Sequence, residues 1–126
     1  MPKINVLIRV INEDSNIEYN TTAIFTDNVI KYKAKDETME IFDYNAYKLL
    51  RENKELRMEY IFKENETTKG MIFSKELNHV VEVNINTKKI ERNNFDILAE
   101  FEVENNNIKY QIEEIKWVYI KNWNKN

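Results

Sequence analysis

Phe95-Asp96-Ile97-Leu98-Ala99-Glu100-Phe101-Glu102-Val103-Glu104-Asn105-Asn106-Asn107-Ile108-Lys109-Tyr110 decides the fold. Phe95, Ile97, Ala99, Phe101 and Val103 fall on one face, and Asp96, Glu100, Glu102 and Glu104 on the other. That period of two marks a strand with one buried and one solvated side. Asn105-Asn106-Asn107 interrupts the pattern, and alternation resumes at Ile108. A tight hairpin turn needs positive φ, which Asn tolerates best after Gly. The chain has nineteen asparagines and one glycine, Gly70, so its turns must be made largely without glycine.

The same punctuation recurs outward from this hairpin, at Asp27-Asn28, Asn53-Lys54 and Asn93-Asn94. Ile4, Val6, Ile8 and Val10 alternate with polar residues, as do Tyr19, Thr21, Ala23 and Phe25. Ile30, Tyr32 and Ala34 oppose a row of lysines, and a short strand covers residues 39–43. Residues 45–58 contain good helix formers, with Asn45 able to cap them. Yet Tyr47, Leu49 and Arg51 alternate, and Leu56, Met58, Tyr60 and Phe62 continue at period two, so a hairpin is expected. Further strands are expected at residues 67–74, 79–86, 88–92, 95–104 and 108–120. In the last, apolar parity shifts between Ile112 and Ile115, which predicts a β-bulge at Glu113-Glu114.

Eight to ten antiparallel strands in a meander leave two exposed edges unless the sheet closes. The expected fold is all-β, an up-and-down barrel of about eight to ten strands. The 126 residues suit one domain, with residues 117–126 extending the last strand or forming a tail. A barrel of this size is either filled by side chains or holds one small ligand.

Composition narrows the chemistry. The net charge of -3 offers no global attraction for nucleic acid. Without cysteine there are no disulfides, thiolate nucleophiles or Cys-ligated zinc. No run approaches the ~20 apolar residues of a membrane span and no signal sequence is visible, so a cytoplasmic protein with no membrane association is expected.

The stretches Ile30-Lys31-Tyr32, Leu49-Leu50-Arg51, Arg57-Met58-Glu59-Tyr60-Ile61-Phe62, Thr67-Thr68 and Thr87-Lys88-Lys89-Ile90-Glu91 carry a resemblance in content and order. Over about residues 4–115 the chain resembles the uncharacterised lipocalin-like, calycin-type barrel family typified by YwiB. The family usually has a glycine soon after the arginine and another before the Thr-Lys-Lys strand. This chain has Glu52-Asn53 and Leu77-Asn78-His79 there. The resemblance implies a barrel fold and carries no established activity.

Arg51 is the charge that stands out. Sharing a face with Tyr47 and Leu49, it points inward, and a buried guanidinium must be paired or meet an anionic ligand. With Tyr32, Tyr60 and Tyr110 it can hold a carboxylate head group inside the barrel. The plainer alternative is an arginine at the barrel mouth bridged to an acid such as Glu40 or Asp43. His79, the one histidine, has no visible partners and reads as a strand-end residue. Glu100, Glu102 and Glu104 belong to the outer face, so no paired-carboxylate catalysis is expected. Trp117, Tyr119 and Trp123, interleaved with Lys116, Lys121 and Lys125, extend the apolar face or plug an end, and no nucleic-acid partner is expected.

The expected function is non-enzymatic: binding of a small apolar or amphipathic molecule in the barrel of a monomer or homodimer, with no cofactor and no metal. The alternative is an interaction module with a filled core, engaging a partner or itself through its outer face or C-terminal tail.

Overall fold

The computed structural model describes residues 3–115; the Trp- and Lys-rich C-terminal tail lies outside them. Ten strands follow in chain order: β1 (Lys3–Ile11), β2 (Asn16–Thr26), β3 (Val29–Lys33), β4 (Met39–Asp43), β5 (Lys48–Glu52), β6 (Leu56–Ile61), β7 (Thr67–Ser74), β8 (His79–Asn93), β9 (Asp96–Val103) and β10 (Asn106–Glu114). Each pairs antiparallel with its neighbours in sequence, and β10 returns to β1 to close the barrel. Residues 45–58 take the hairpin form, Arg51 pairing with Met58 across β5 and β6.

Asparagine makes these turns in two ways. At Asp27-Asn28 both residues have positive φ, 55° and 62°, as a two-residue hairpin turn demands. Asn94 also adopts positive φ, and the β9–β10 turn falls one residue early, at Glu104-Asn105. Asn53 works differently. Its side-chain oxygen accepts the backbone N–H groups of Glu55 and Leu56, closing an Asx turn.

Two expected details are corrected. Residues 79–86 and 88–92 are one strand, β8, in which the register against β9 slips between Thr87 and Lys89. The extra residue, Lys88, exchanges the faces, so that inward positions pass from Val83, Ile85 and Thr87 to Ile90. The predicted bulge at Glu113-Glu114 is absent: β10 stays in register with β1 through Glu114, and the parity shift marks the strand's end.

Gly70 is not a turn residue. It sits inside β7, buried, where an added Cβ would fall 2.7 Å from Ile85 Cδ1 and 2.8 Å from Tyr60 Cδ1. The lone glycine therefore serves close packing across the interior.

The interior is filled unevenly. The end bearing the β2–β3, β4–β5 and β8–β9 turns is packed with rings. Phe42 and Phe62 stack at 6.4 Å, Phe25 meets Phe95 edge-on at 4.5 Å, and Phe42 meets Tyr44 at 5.1 Å. The Tyr44 hydroxyl donates to the Phe95 carbonyl at 2.5 Å. The opposite end, bearing the β1–β2, β3–β4 and β9–β10 turns, holds a cavity.

Candidate functional site

The cavity measures about 690 Å³ and opens between the β1–β2 and β3–β4 turns. Leu49, Tyr60, Phe101 and Tyr110 contribute its buried wall. Val10, Met58 and Ile108 continue the apolar surface outward, and Glu18, Lys35, Asp36, Glu40 and Arg51 add the charge.

A polar chain crosses this end of the barrel. Glu40 is inward-facing on β4 and only 4% exposed. The Tyr32 hydroxyl donates to Glu40 Oε1 at 2.6 Å, and Tyr32 and Tyr110 are hydrogen-bonded through their hydroxyls. With the Tyr32 proton committed to Glu40, Tyr110 is the donor in that second bond. Burial pushes both tyrosines well above the usual phenol range, and the neighbouring Glu40 charge adds to it.

Arg51 Nε lies 2.7 Å from Glu40 Oε2. Its N–H is not aligned with that oxygen, so the contact is an ion pair and not a directed hydrogen bond. Buried Glu40 thus has a counter-charge, while the Arg51 side chain stays 38% exposed at the mouth. Among the described residues no other ion pair involves Arg51.

The four residues singled out in the sequence divide into two groups. Arg51, Tyr60 and Tyr110 line the cavity, whereas Tyr32 lies behind it, joining Tyr110 to Glu40. Asp43, the other acid considered for Arg51, instead accepts the backbone N–H of Asn45 in the β4–β5 turn. Tyr19 was not singled out, although it too lines the cavity. Burial raises the Tyr19 phenol above its usual range, Glu40 adds to the rise and Arg51 opposes it. The Tyr60 phenol is likewise raised by burial and opposed by Arg51. The strict alternation of β2 contained the signal for Tyr19, since it shares a face with Ala23.

Other sequence candidates lie elsewhere. His79 is exposed at the start of β8, opposite Ser74. Glu102 is on the outer face, where its carboxylate accepts from Asn86 at 3.5 Å. Among the described residues no group of three or more His, Cys, Asp or Glu side chains is arranged to hold a metal ion, and no helix is long and apolar enough to cross a membrane.

No family model matches the chain, and neither does any curated protein. Among solved structures it is similar to the crystal structure of the YwiB protein from Bacillus subtilis. The TM-score is 0.62 over 90% of this chain and 92% of that one, at 13% identity. At that identity the likeness establishes a shared fold.

Proposed function

We propose that this barrel binds one small amphipathic molecule, its apolar part against Leu49, Phe101 and Ile108 and its polar head beside Arg51 and Tyr60. One observation carries the reading: the barrel is packed with rings at one end and leaves about 690 Å³ open at the other. That volume is within the ~300–1,000 Å³ of small-molecule sites, and an apolar wall with a few convergent polar groups is their usual make-up. A fold stabilised only by packing has no need of such a space, since interiors otherwise approach crystal-like density.

Fluorescence of the neutral dye N-phenylnaphthylamine tests this. The dye should brighten on entering the barrel, and Ile108→Trp, which fills the cavity from its wall, should abolish the response while the far-UV circular dichroism stays β-type. Unchanged dye binding in a folded Ile108→Trp protein would refute the reading. Native mass spectrometry of the purified protein should show one retained small molecule per chain.

A second reading, protein interaction, draws on the β7–β8 hairpin. Its tip exposes Leu77, Val80 and Val81, with Leu77 74% exposed. A dimer in the same native spectrum, dispersed by Val80→Lys, would support it.

A further inference from the structure

We propose that the head-group site takes a carboxylate, bound by the free outer edge of Arg51 with the Tyr19 and Tyr60 hydroxyls beside it. This rests on the amphiphile reading above and specifies the chemical class of the ligand.

The basis is which polar groups at the mouth are already committed. Glu18 Oε2 takes the Arg9 Nε–H at 2.9 Å. Asp36 Oδ1 takes the Thr38 backbone N–H at 3.1 Å, and this bonding with Thr38 holds the Asp36 carboxyl below its usual range, with Arg51 assisting. Glu40 is engaged at both oxygens, by Tyr32 and by Arg51. Each acid lining the cavity therefore has a partner.

The cations are less fully engaged. Lys35 makes no ion pair among the described residues, and the single ion pair of Arg51 is through Nε. A guanidinium carries five N–H donors on two usable edges, and the Nη1/Nη2 edge matches a carboxylate's two oxygens. Tyr19 and Tyr60 line the same cavity as Arg51. A group of donors with their local acids spoken for selects a ligand rich in acceptors. An amine head would meet the Lys35 and Arg51 charges, with Asp36 as the one lining acid outside any ion pair, and an alcohol would use one or two of these donors only.

Glu40, Tyr32 and Tyr110 then act as positioning residues. The buried carboxylate fixes where the guanidinium stands, Tyr32 fixes the carboxylate, and Tyr110 holds Tyr32. Because Glu40 meets Arg51 at the buried Nε, the Nη donors of Arg51 are kept for the ligand.

Displacement of the bound neutral dye by decanoate, decanol and decylamine tests the proposal. The wild-type protein should prefer decanoate to decanol and bind decylamine most weakly. The variant Arg51→Met, with Glu40→Gln introduced to avoid an unpaired buried charge, should lose decanoate affinity roughly tenfold to hundredfold, the worth of a charge-assisted contact, with a much smaller loss for decanol. Tyr32→Phe should lower the decanoate-to-decanol ratio without weakening decanol, an effect that mere loss of stability would not produce. Equal affinity for decanoate and decanol in the wild type, or a preference that survives Arg51→Met/Glu40→Gln, overturns the carboxylate assignment while leaving the amphiphile reading standing. If none of the three displaces the dye, both fall together.

Discussion

Each end of the barrel carries an arginine, and the two are used in opposite ways. Arg92, at the ring-packed end, stands with its guanidinium carbon 4.5 Å from the centre of the Tyr44 ring. It also donates to the Asn94 carbonyl at 3.1 Å and, more weakly, to Asn28 at 3.5 Å. Its donors are thus spent on tying two turns over an aromatic plug. Arg51, at the cavity end, gives its charge to Glu40 and keeps its outer donors. The contrast separates a closed end from an open one. Buried polar groups are costly unless satisfied, so the Tyr110–Tyr32–Glu40–Arg51 chain would be a poor choice for a core needed only for stability.

The largest test of that contrast is in the cores themselves. Phe42 is fully buried and its ring meets those of Phe62, Tyr44 and Tyr110. Phe42→Ala should cost about 3–5 kcal/mol, the transfer loss plus an unfilled hole. Ile108 already faces open space on the cavity side, so Ile108→Ala should cost about 1 kcal/mol, or less. Urea unfolding of the two variants measures both. Equal losses would mean the cavity end is as tightly packed as the other, and the distinction between the ends would be lost.

Alkali probes the same division through the tyrosines. Burial raises the Tyr32 and Tyr110 phenols, with Glu40 adding to the rise; at the other end burial raises Tyr44, and there Arg92 opposes it. In the unfolded chain these groups lose their protons near pH 10. The folded state keeps them, so it binds more protons than the unfolded state above that pH and stability falls as pH rises. Below pH 10 both states are protonated and this contribution is fully present. Tyr32 and Tyr110 together should give a decline of ~2.7 kcal/mol per pH unit above pH 10. Urea midpoints from pH 8 to 11 should show the bend, and Tyr32→Phe with Tyr110→Phe should make it shallower, leaving the share of Tyr19, Tyr44 and Tyr60. An unaltered slope in that double variant would show that the two phenols ionise freely in the fold.

How far all this was legible in the sequence follows from the range of each interaction. Alternation within one strand is local, so the inward positions of Arg51, Tyr60 and Tyr110 could be read directly. Turns are nearly as local, although Glu104-Asn105 shows that a run of three asparagines does not say which residue begins the turn. The Lys88 bulge was hidden because residues 79–86 and 88–92 each alternate correctly by themselves. Only their pairing with β9 shows that they are one strand with a changed face. The site was the least legible part. Glu40 pairs in register with both Tyr32 and Arg51, but joining Tyr110 and Tyr19 to them depends on how the closed sheet brings β10 and β2 across the interior. No spacing along the chain encodes that distance.

The turns give the smallest and cleanest comparison between the ends. Both the Asp27-Asn28 turn at the ring-packed end and the Glu104-Asn105 turn at the cavity end place two consecutive residues at positive φ. Asp and Asn enter the left-handed region with little strain, because a short polar side chain can bond locally. Glu gains no such relief, and at φ 50° Glu104 bears a Cβ clash that glycine would lack. Glycine also makes the unfolded chain more flexible, which offsets part of the gain. The balance for Glu104→Gly should be a stabilisation of about 0.5–1 kcal/mol, while Asp27→Gly should gain less because it relieves less strain. Calorimetric melting of the two variants reads the difference. A lower melting temperature for Glu104→Gly would mean that the glutamate side chain, at the rim of the cavity end, makes a contact worth more than the backbone strain it bears.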